Sequence, residues 1–191
     1  MQEYTKINKT GSIHIILGCM FSGKTTELLR NVKRYQSIGK KTMVLNYSLD
    51  ERYGKDSVIS HDALGVPAFM ISDLNELFSD NKMKNEYEKS EYIFINEGQF
   101  FKDLKKFCER AVNIDHKIIY VCGLDGDYKQ EKFGELIDLI PICESVVKLT
   151  ALCKICGADA SFTKRIVQSK ETVLIGTGDI YQAVCRRHYF N

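Results

Sequence analysis

The chain has 191 residues, 44% of them hydrophobic and 27% charged, with a formal net charge of +2; this describes one ordinary globular domain, or one with a small appendage, and not a disordered chain. No apolar run reaches the roughly 18 residues a membrane-spanning helix needs, and the balanced charge argues against a nucleic-acid binder working by bulk electrostatics. Seven cysteines, an odd number, behind a polar "MQEYTKINKTGS" with no secretory apolar run, point to the reducing cytoplasm and away from a disulfide framework.

In chain order, "SIHIIL" (12–17) predicts a strand that ends at Gly18. From about Lys24 to Ile38 the apolar residues Leu28, Leu29, Val32, Tyr35 and Ile38 recur at helical spacing, and Gly39 breaks the pattern. "KTMVLN" (41–46) is a second strand. "YIFI" (92–95) and "IIYVCG" (118–123) are two more, with the helical pattern "DLKKFCERAV" between them. "SVVKL" (145–149) is a fifth. Short, β-branched, nearly continuous apolar strands alternating with helices predict an α/β fold, a mostly parallel sheet with helices on both faces. After about residue 150 the texture changes to paired cysteines, scattered polar residues and short β-like pieces. We therefore expect a nucleotide-binding domain over 1–150 and a small zinc-binding unit over 151–191, packed directly on it.

The strongest local signal is "GCMFSGKT", Gly18 to Thr25, which fits G-x-x-x-x-G-K-[ST] between a strand and a helix. Such a loop, Gly18, Cys19, Met20, Phe21, Ser22, Gly23, Lys24, Thr25 and the following Thr26, wraps phosphates with backbone N–H groups at a helix start. Lys24 supplies charge to the β- and γ-phosphates, and the Thr25 hydroxyl suits magnesium. The alternative, a glycine-rich turn with no ligand, leaves Lys24 and Thr25 at those positions to coincidence. Downstream, "YIFINEGQFF" runs four apolar residues into Asn96 and Glu97. If this strand shares the sheet, its C-terminal end emerges near the phosphate loop, and Glu97 can accept a proton from an attacking hydroxyl. The competing reading is an idle acid at a strand end. In "SLDERYG", Asp50 and Arg52 offer an acid for a metal and a guanidinium for developing charge; a solvated turn with a surface ion pair fits the sequence equally well.

"CKIC" and "CRRH" are two pairs with two intervening residues each, 28 positions apart. Cys153, Cys156, Cys185 and His188 make a tetrahedral donor set that leaves no open position, so the zinc would be structural. The segment between the pairs is longer than in compact zinc ribbons and must loop out, clipped at its base. Cys19, Cys108, Cys122 and Cys143 read as small apolar residues, and His14, His61 and His116 as structural or solvent-facing.

Assembled in this order, the motifs "IILGCMFSGKTTELLR", "DERY", "EGQFF", "GLDGDY", "ESVVKLTALC", "TKR" and "IYQAVCRRHYF" resemble the type II thymidine kinase family over nearly the whole chain. The resemblance implies a RecA-like phosphate-loop fold with a zinc-clipped lasso. It implies ATP-dependent phosphorylation of the 5′-hydroxyl of thymidine, with deoxyuridine as a further acceptor, in deoxynucleotide salvage. It makes Glu97 the general base, with Lys24 and Arg52 beside it, and assigns magnesium to Thr25, Asp50 and Asn96. It places Met20, Phe101, Leu124, Tyr128 and Phe133 around the thymine, and Thr163, Thr172, Leu174, Gly176 and Tyr181 on a flap that closes over it. It also implies a homotetramer and feedback inhibition by dTTP, while the balanced charge and the lack of a long apolar run lead us to expect neither a nucleic-acid nor a membrane partner. The family usually carries Asp immediately before the catalytic Glu, where this chain has Asn96; magnesium coordination should then lean on Thr25, the phosphates and Asp50. A nucleic-acid-stimulated ATPase using its zinc unit as a grip is the alternative, and the balanced charge counts against it.

Overall fold

Side-chain alternation along the strands sets the architecture, because successive residues face opposite sides of a sheet. The structure of the protein, a computed structural model, describes residues 10–48, 57–59, 65–167 and 178–191. In β1 (Ser12–Gly18), Ile13, Ile15 and Leu17 enter one core and Ile16 the other. The same division holds in β2 (Thr42–Tyr47), where Met43 and Leu45 oppose Val44. After the antiparallel hairpin β3 (Ser57–Ile59) and β4 (Gly65–Pro67) and the short β5 (Phe69–Ile71), it recurs twice more. Ile93 and Ile95 oppose Tyr92 and Phe94 in β6 (Tyr92–Ile95), and Ile119 and Val121 oppose Tyr120 and Cys122 in β7 (Ile118–Gly123). With β8 (Ser145–Leu149) these form one six-stranded sheet in the order β5-β2-β6-β7-β1-β8. Every pairing in it is parallel.

Both faces are covered, as two-sided apolar strands require. Helix α1 (Lys24–Gln36) buries Leu28, Leu29 and Val32 against one face, where Val58 and Val66 of the hairpin join it. Full burial of each such side chain contributes about 1.5–3 kcal/mol. Hydrogen bonds from the Gly39 N–H to the Gln36 carbonyl and from the Lys40 N–H to the Tyr35 carbonyl terminate α1, a C-terminal motif that uses a left-handed glycine, here φ 74°. The other face carries α2 (Glu76–Ser79), α3 (Asn81–Lys89) and α4 (Leu104–Asn113), through Leu77, Tyr87, Leu104, Phe107, Cys108 and Ala111. The Asp80 carboxylate accepts from the Met83 N–H and caps α3, and the buried Lys117 ammonium donates to the Tyr87, Glu88 and Ser90 carbonyls at its far end.

Beyond β8 the chain leaves the sheet. β9 (Ala151–Leu152) and β10 (Asp159–Ala160) form one antiparallel pair, β11 (Phe162–Arg165) and β12 (Tyr181–Val184) another, and α5 (Arg186–Phe190) ends the chain. Their small core of Ala151, Cys153, Ala160, Ala183 and Val184 includes Cys19 from the loop after β1.

All five expected strands and both expected helices occur. β8 departs from the expectation of strands covered on both faces: it is the sheet edge, and Val146 and Val147 are exposed. β5, the hairpin and the two helices before β6 had no clear signal in the sequence. His14 stacks on Tyr120 with ring centroids 4.6 Å apart and bonds Ser145 Oγ at 2.7 Å; burial lowers its pKa against the opposing charge of Glu144. That is a structural role.

Candidate phosphate-transfer site

Residues Gly18–Thr25 leave the C-terminal end of β1 and open α1, so the loop sits at the edge where parallel sheets build their sites. A Cβ on Gly18 would stand 2.5 Å from the Leu149 carbonyl oxygen and 2.6 Å from Ser22 Oγ, so only glycine fits where the loop turns beside β8. Phe21 (φ 64°) and Gly23 (φ 83°) both take left-handed conformations, folding the loop tightly over the helix start. Lys24 is 8% exposed and donates to the Cys19 carbonyl at 2.7 Å. Ser22 Oγ is buried without a hydrogen-bond partner among the described residues, an arrangement that a phosphate oxygen would satisfy. The Cys19 thiol donates to the Ala160 carbonyl at 3.3 Å, and burial pushes its pKa up; it acts as a buried apolar residue.

β6 lies two strands from β1, with β7 between them, and its C-terminal end comes to the loop. The Thr25 hydroxyl donates to Asn96 Oδ1 at 3.4 Å. Two further contacts fix which way the Asn96 amide faces: Cys122 Sγ donates to Oδ1 at 3.0 Å, and Nδ2 donates to Asn46 Oδ1 at 2.8 Å. Asn46 and Asn96 are both buried. The site thus presents two neutral oxygens, from Thr25 and Asn96, which are hard donors of the kind magnesium accepts beside phosphate oxygens. Glu97 follows with φ 55°, a sparsely populated conformation for a residue with a side chain. Its Oε2 accepts from Gln99 Nε2 at 2.6 Å.

Around this point stand the aromatic residues of the predicted base pocket. Phe133 meets Phe100 edge-on at 5.3 Å, and Phe100 stacks on Tyr47 at 5.0 Å. Phe101 is 2% exposed and sits in the sheet core, edge-on to Tyr47 at 5.4 Å. Leu124 donates its N–H to Gln99 Oε1 at 3.0 Å. The Arg165 guanidinium lies 3.8 Å over the Tyr128 ring and donates to the Tyr181 hydroxyl at 3.0 Å, while the Tyr189 hydroxyl donates to the Tyr128 carbonyl at 2.7 Å. The buried Thr163 hydroxyl accepts from the Met20 N–H at 3.0 Å, joining the phosphate loop to β11. Asp50, Arg52, Thr172, Leu174 and Gly176 lie outside the described residues.

The four predicted zinc donors converge, with ligand atoms all within 4.8 Å of one another. Cys153 and Cys156 occupy the β9–β10 turn, Cys185 the end of β12, and His188 lies one turn into α5. His188 Nδ1 is 3.5 Å from Cys153 Sγ and 3.4 Å from Cys185 Sγ, and Cys156 Sγ is 3.9 Å from Cys185 Sγ. Tetrahedral zinc with Zn–S bonds of about 2.3 Å asks for sulfur–sulfur edges of roughly 3.8 Å, so the donor set fits the metal. Desolvation opposes the Cys153 thiolate, but hydrogen bonds from the backbone at Cys185, Ile155 and Cys156 and from His188 bring its pKa down to about 5. The ladder of β11 on β12, from Phe162↔Val184 to Arg165↔Tyr181, pins the base of the intervening segment.

Four contributors escaped sequence reasoning. Gln99 stood inside "EGQFF" with no assigned work. Arg165 stood in the motif "TKR" with no role of its own. Asn46 and Tyr189 gave no signal, since their roles depend on partners 50 and 61 positions away.

A family model described as thymidine kinase matches residues 11–189. The chain is 47% identical to thymidine kinase a of Arabidopsis thaliana over 180 residues, 94% of this chain and 75% of that protein. It is 47% identical to a thymidine kinase of Oryza sativa subsp. japonica over 182 residues, 95% of this chain and 67% of the other. To the thymidine kinase of Yaba monkey tumor virus it is 45% identical over 183 residues, 96% and 97% of the two chains.

Proposed function

The chain belongs to the thymidine kinase family, and from that premise we propose how its residues transfer phosphate. It is a kinase whose substrates are thymidine and ATP, used with a divalent metal. The observation that carries the site assignment is the contact between Thr25 and Asn96, which joins the end of the phosphate loop to the residue beside Glu97.

In this reading the loop amides and Lys24 hold the ATP phosphates, and the Lys24 ammonium leaves the Cys19 carbonyl for the β- and γ-oxygens. Glu97 accepts the 5′-hydroxyl proton as the hydroxyl attacks in line. Arg52 and Lys24 stabilise the migrating phosphoryl group. The divalent metal is magnesium, which when bound supplies positive charge to the phosphates. Thr25, Asn96 and Asp50 hold it or its waters, with one charge fewer than an acid at position 96 would give. Met20, Leu124, Tyr128 and Phe133 border the thymine over Phe101. Thr163, Thr172, Leu174, Gly176 and Tyr181 belong to a flap that excludes water from the transfer. Cys153, Cys156, Cys185 and His188 would hold a zinc ion, and that clip would tie the flap down and lower the entropy cost of holding it closed.

We further propose a division of the chain at residue 150, where the parallel sheet gives way to the small strand pairs. Deoxyuridine would serve as a second acceptor. A homotetramer and feedback inhibition by dTTP, both implied by the family resemblance, complete the reading. Among the described residues no helix is long and apolar enough to cross a membrane. A cytoplasmic location is part of the same proposal. The test is Glu97→Gln: turnover is lost while ATP affinity stays near wild type, whereas near-normal kcat would refute the general-base role.

A further inference from the structure

Gln99 is 3% exposed, a costly place for an amide unless both ends are bonded. Both ends are. Its Oε1 accepts from the Leu124 N–H at 3.0 Å, just past the end of β7, and its Nε2 donates to Glu97 Oε2 at 2.6 Å. The orientation of the amide is not arbitrary. A backbone N–H can only donate, so the carbonyl end must face Leu124 and the NH2 must face the carboxylate. Rotating the amide by half a turn would set oxygen against carboxylate and N–H against N–H.

The surroundings leave room for this bridge and for little else. A Cβ on Gly123 would fall 2.8 Å from Leu136 Cδ2 and closer still to Gln99 Oε1. A Cβ on Gly134 would lie 2.9 Å from the Gln99 carbonyl carbon. Two glycines from separate segments therefore close around one glutamine. Glu97 stands at φ 55°, and such a backbone persists where neighbouring contacts over-determine it.

We propose that Gln99 is a positioning residue for phosphoryl transfer: it clamps the Glu97 carboxylate through Oε2 and ties it, through the Leu124 N–H, to the wall of the base pocket. This rests on the reading of Glu97 as general base. The consequence is geometric coupling: the group that takes the proton and the backbone that borders the thymine are held by the two ends of one side chain. Misplacing a catalytic group by about 1 Å costs on the order of 100-fold in rate.

Two substitutions separate this role from a structural one. Gln99→Met keeps the volume and removes both bonds. Gln99→Glu keeps the acceptor for Leu124 but turns an oxygen towards Glu97. The account predicts kcat at least about tenfold below wild type in both. The thymidine KM should stay within about twofold in Gln99→Glu and rise in Gln99→Met, with ATP affinity unchanged by calorimetry in each. A kcat within about twofold of wild type in Gln99→Met, or in a Gln99→Glu protein that binds ATP normally, would overturn the proposal. Glu97→Gln, assayed alongside, keeps the two ideas apart. Lost turnover there with intact Gln99 variants rejects only the positioning role, and retained turnover there rejects the general-base reading itself.

Discussion

Substituting Gly134 by Ala presses on the backbone of Glu97's support, the Gln99 carbonyl group first, without removing a polar side chain. Gly134 has φ 62°, and an added Cβ would lie 2.9 Å from the carbonyl carbon and 3.1 Å from the Cα of Gln99. Both are backbone atoms, so no flexible side chain can swing aside. A left-handed conformation costs a residue with a Cβ about 1–2 kcal/mol, and overpacking adds about 1–3 kcal/mol, roughly 2–5 kcal/mol together. Gly39, with φ 74° and nothing within 4 Å of an added Cβ, supplies the control: Gly39→Ala pays only the first cost. At about 2–4 °C per kcal/mol for a chain of this size, Gly39→Ala should lower Tm by roughly 2–8 °C and Gly134→Ala by roughly 4–20 °C. Parallel thermal unfolding of the two variants measures the difference, and kcat for thymidine measures its consequence at Glu97. Gly39→Ala should keep wild-type kcat, whereas Gly134→Ala should lose turnover as Gln99 is displaced. Equal Tm shifts in the two variants, with wild-type kcat in both, would refute the reasoning.

Elemental analysis should find one zinc per chain, and Cys153→Ser should hold none. The metal-free protein should show a lower Tm and a raised thymidine KM; an unchanged thymidine KM in folded, zinc-free protein would separate the clip from the flap. Asn96→Asp places a buried carboxylate oxygen against Asn46 Oδ1, so stability should fall by about 1–3 kcal/mol in a denaturant titration. The same variant should reach half-maximal activity at lower magnesium than wild type, and identical magnesium curves would contradict the role given to Asn96.

The parts legible in the sequence were those whose signal is local. β1, β6 and β7 are nearly continuous apolar runs because both of their faces are largely buried, and the loop after β1 carries its chemistry in eight consecutive residues. The zinc donors announced themselves through the spacing of two pairs. What stayed hidden depends on distant partners. β5 has three residues, and it is a strand by virtue of its pairing with β2. Nothing in "SVVKL" distinguishes an edge strand from a central one, so the exposure of Val146 and Val147 was not foreseen. Gln99 looked like one more polar residue in a turn, since its second bond is to Leu124, 25 positions away. Asn46, in an otherwise apolar strand, is a buried amide that acquires a role through Asn96. The sequence marked position 96 as lacking an acid, and the contacts with Thr25, Cys122 and Asn46 then gave the amide a fixed direction.

Thymidine kinase activity is decided by phosphorylation of the four deoxynucleosides, measured with ATP in one coupled assay and repeated with single-stranded DNA present. The account predicts thymidine monophosphate as the main product, no response to DNA, and no turnover in Glu97→Gln. ATP hydrolysis that rises with DNA and yields no nucleoside monophosphate would contradict it.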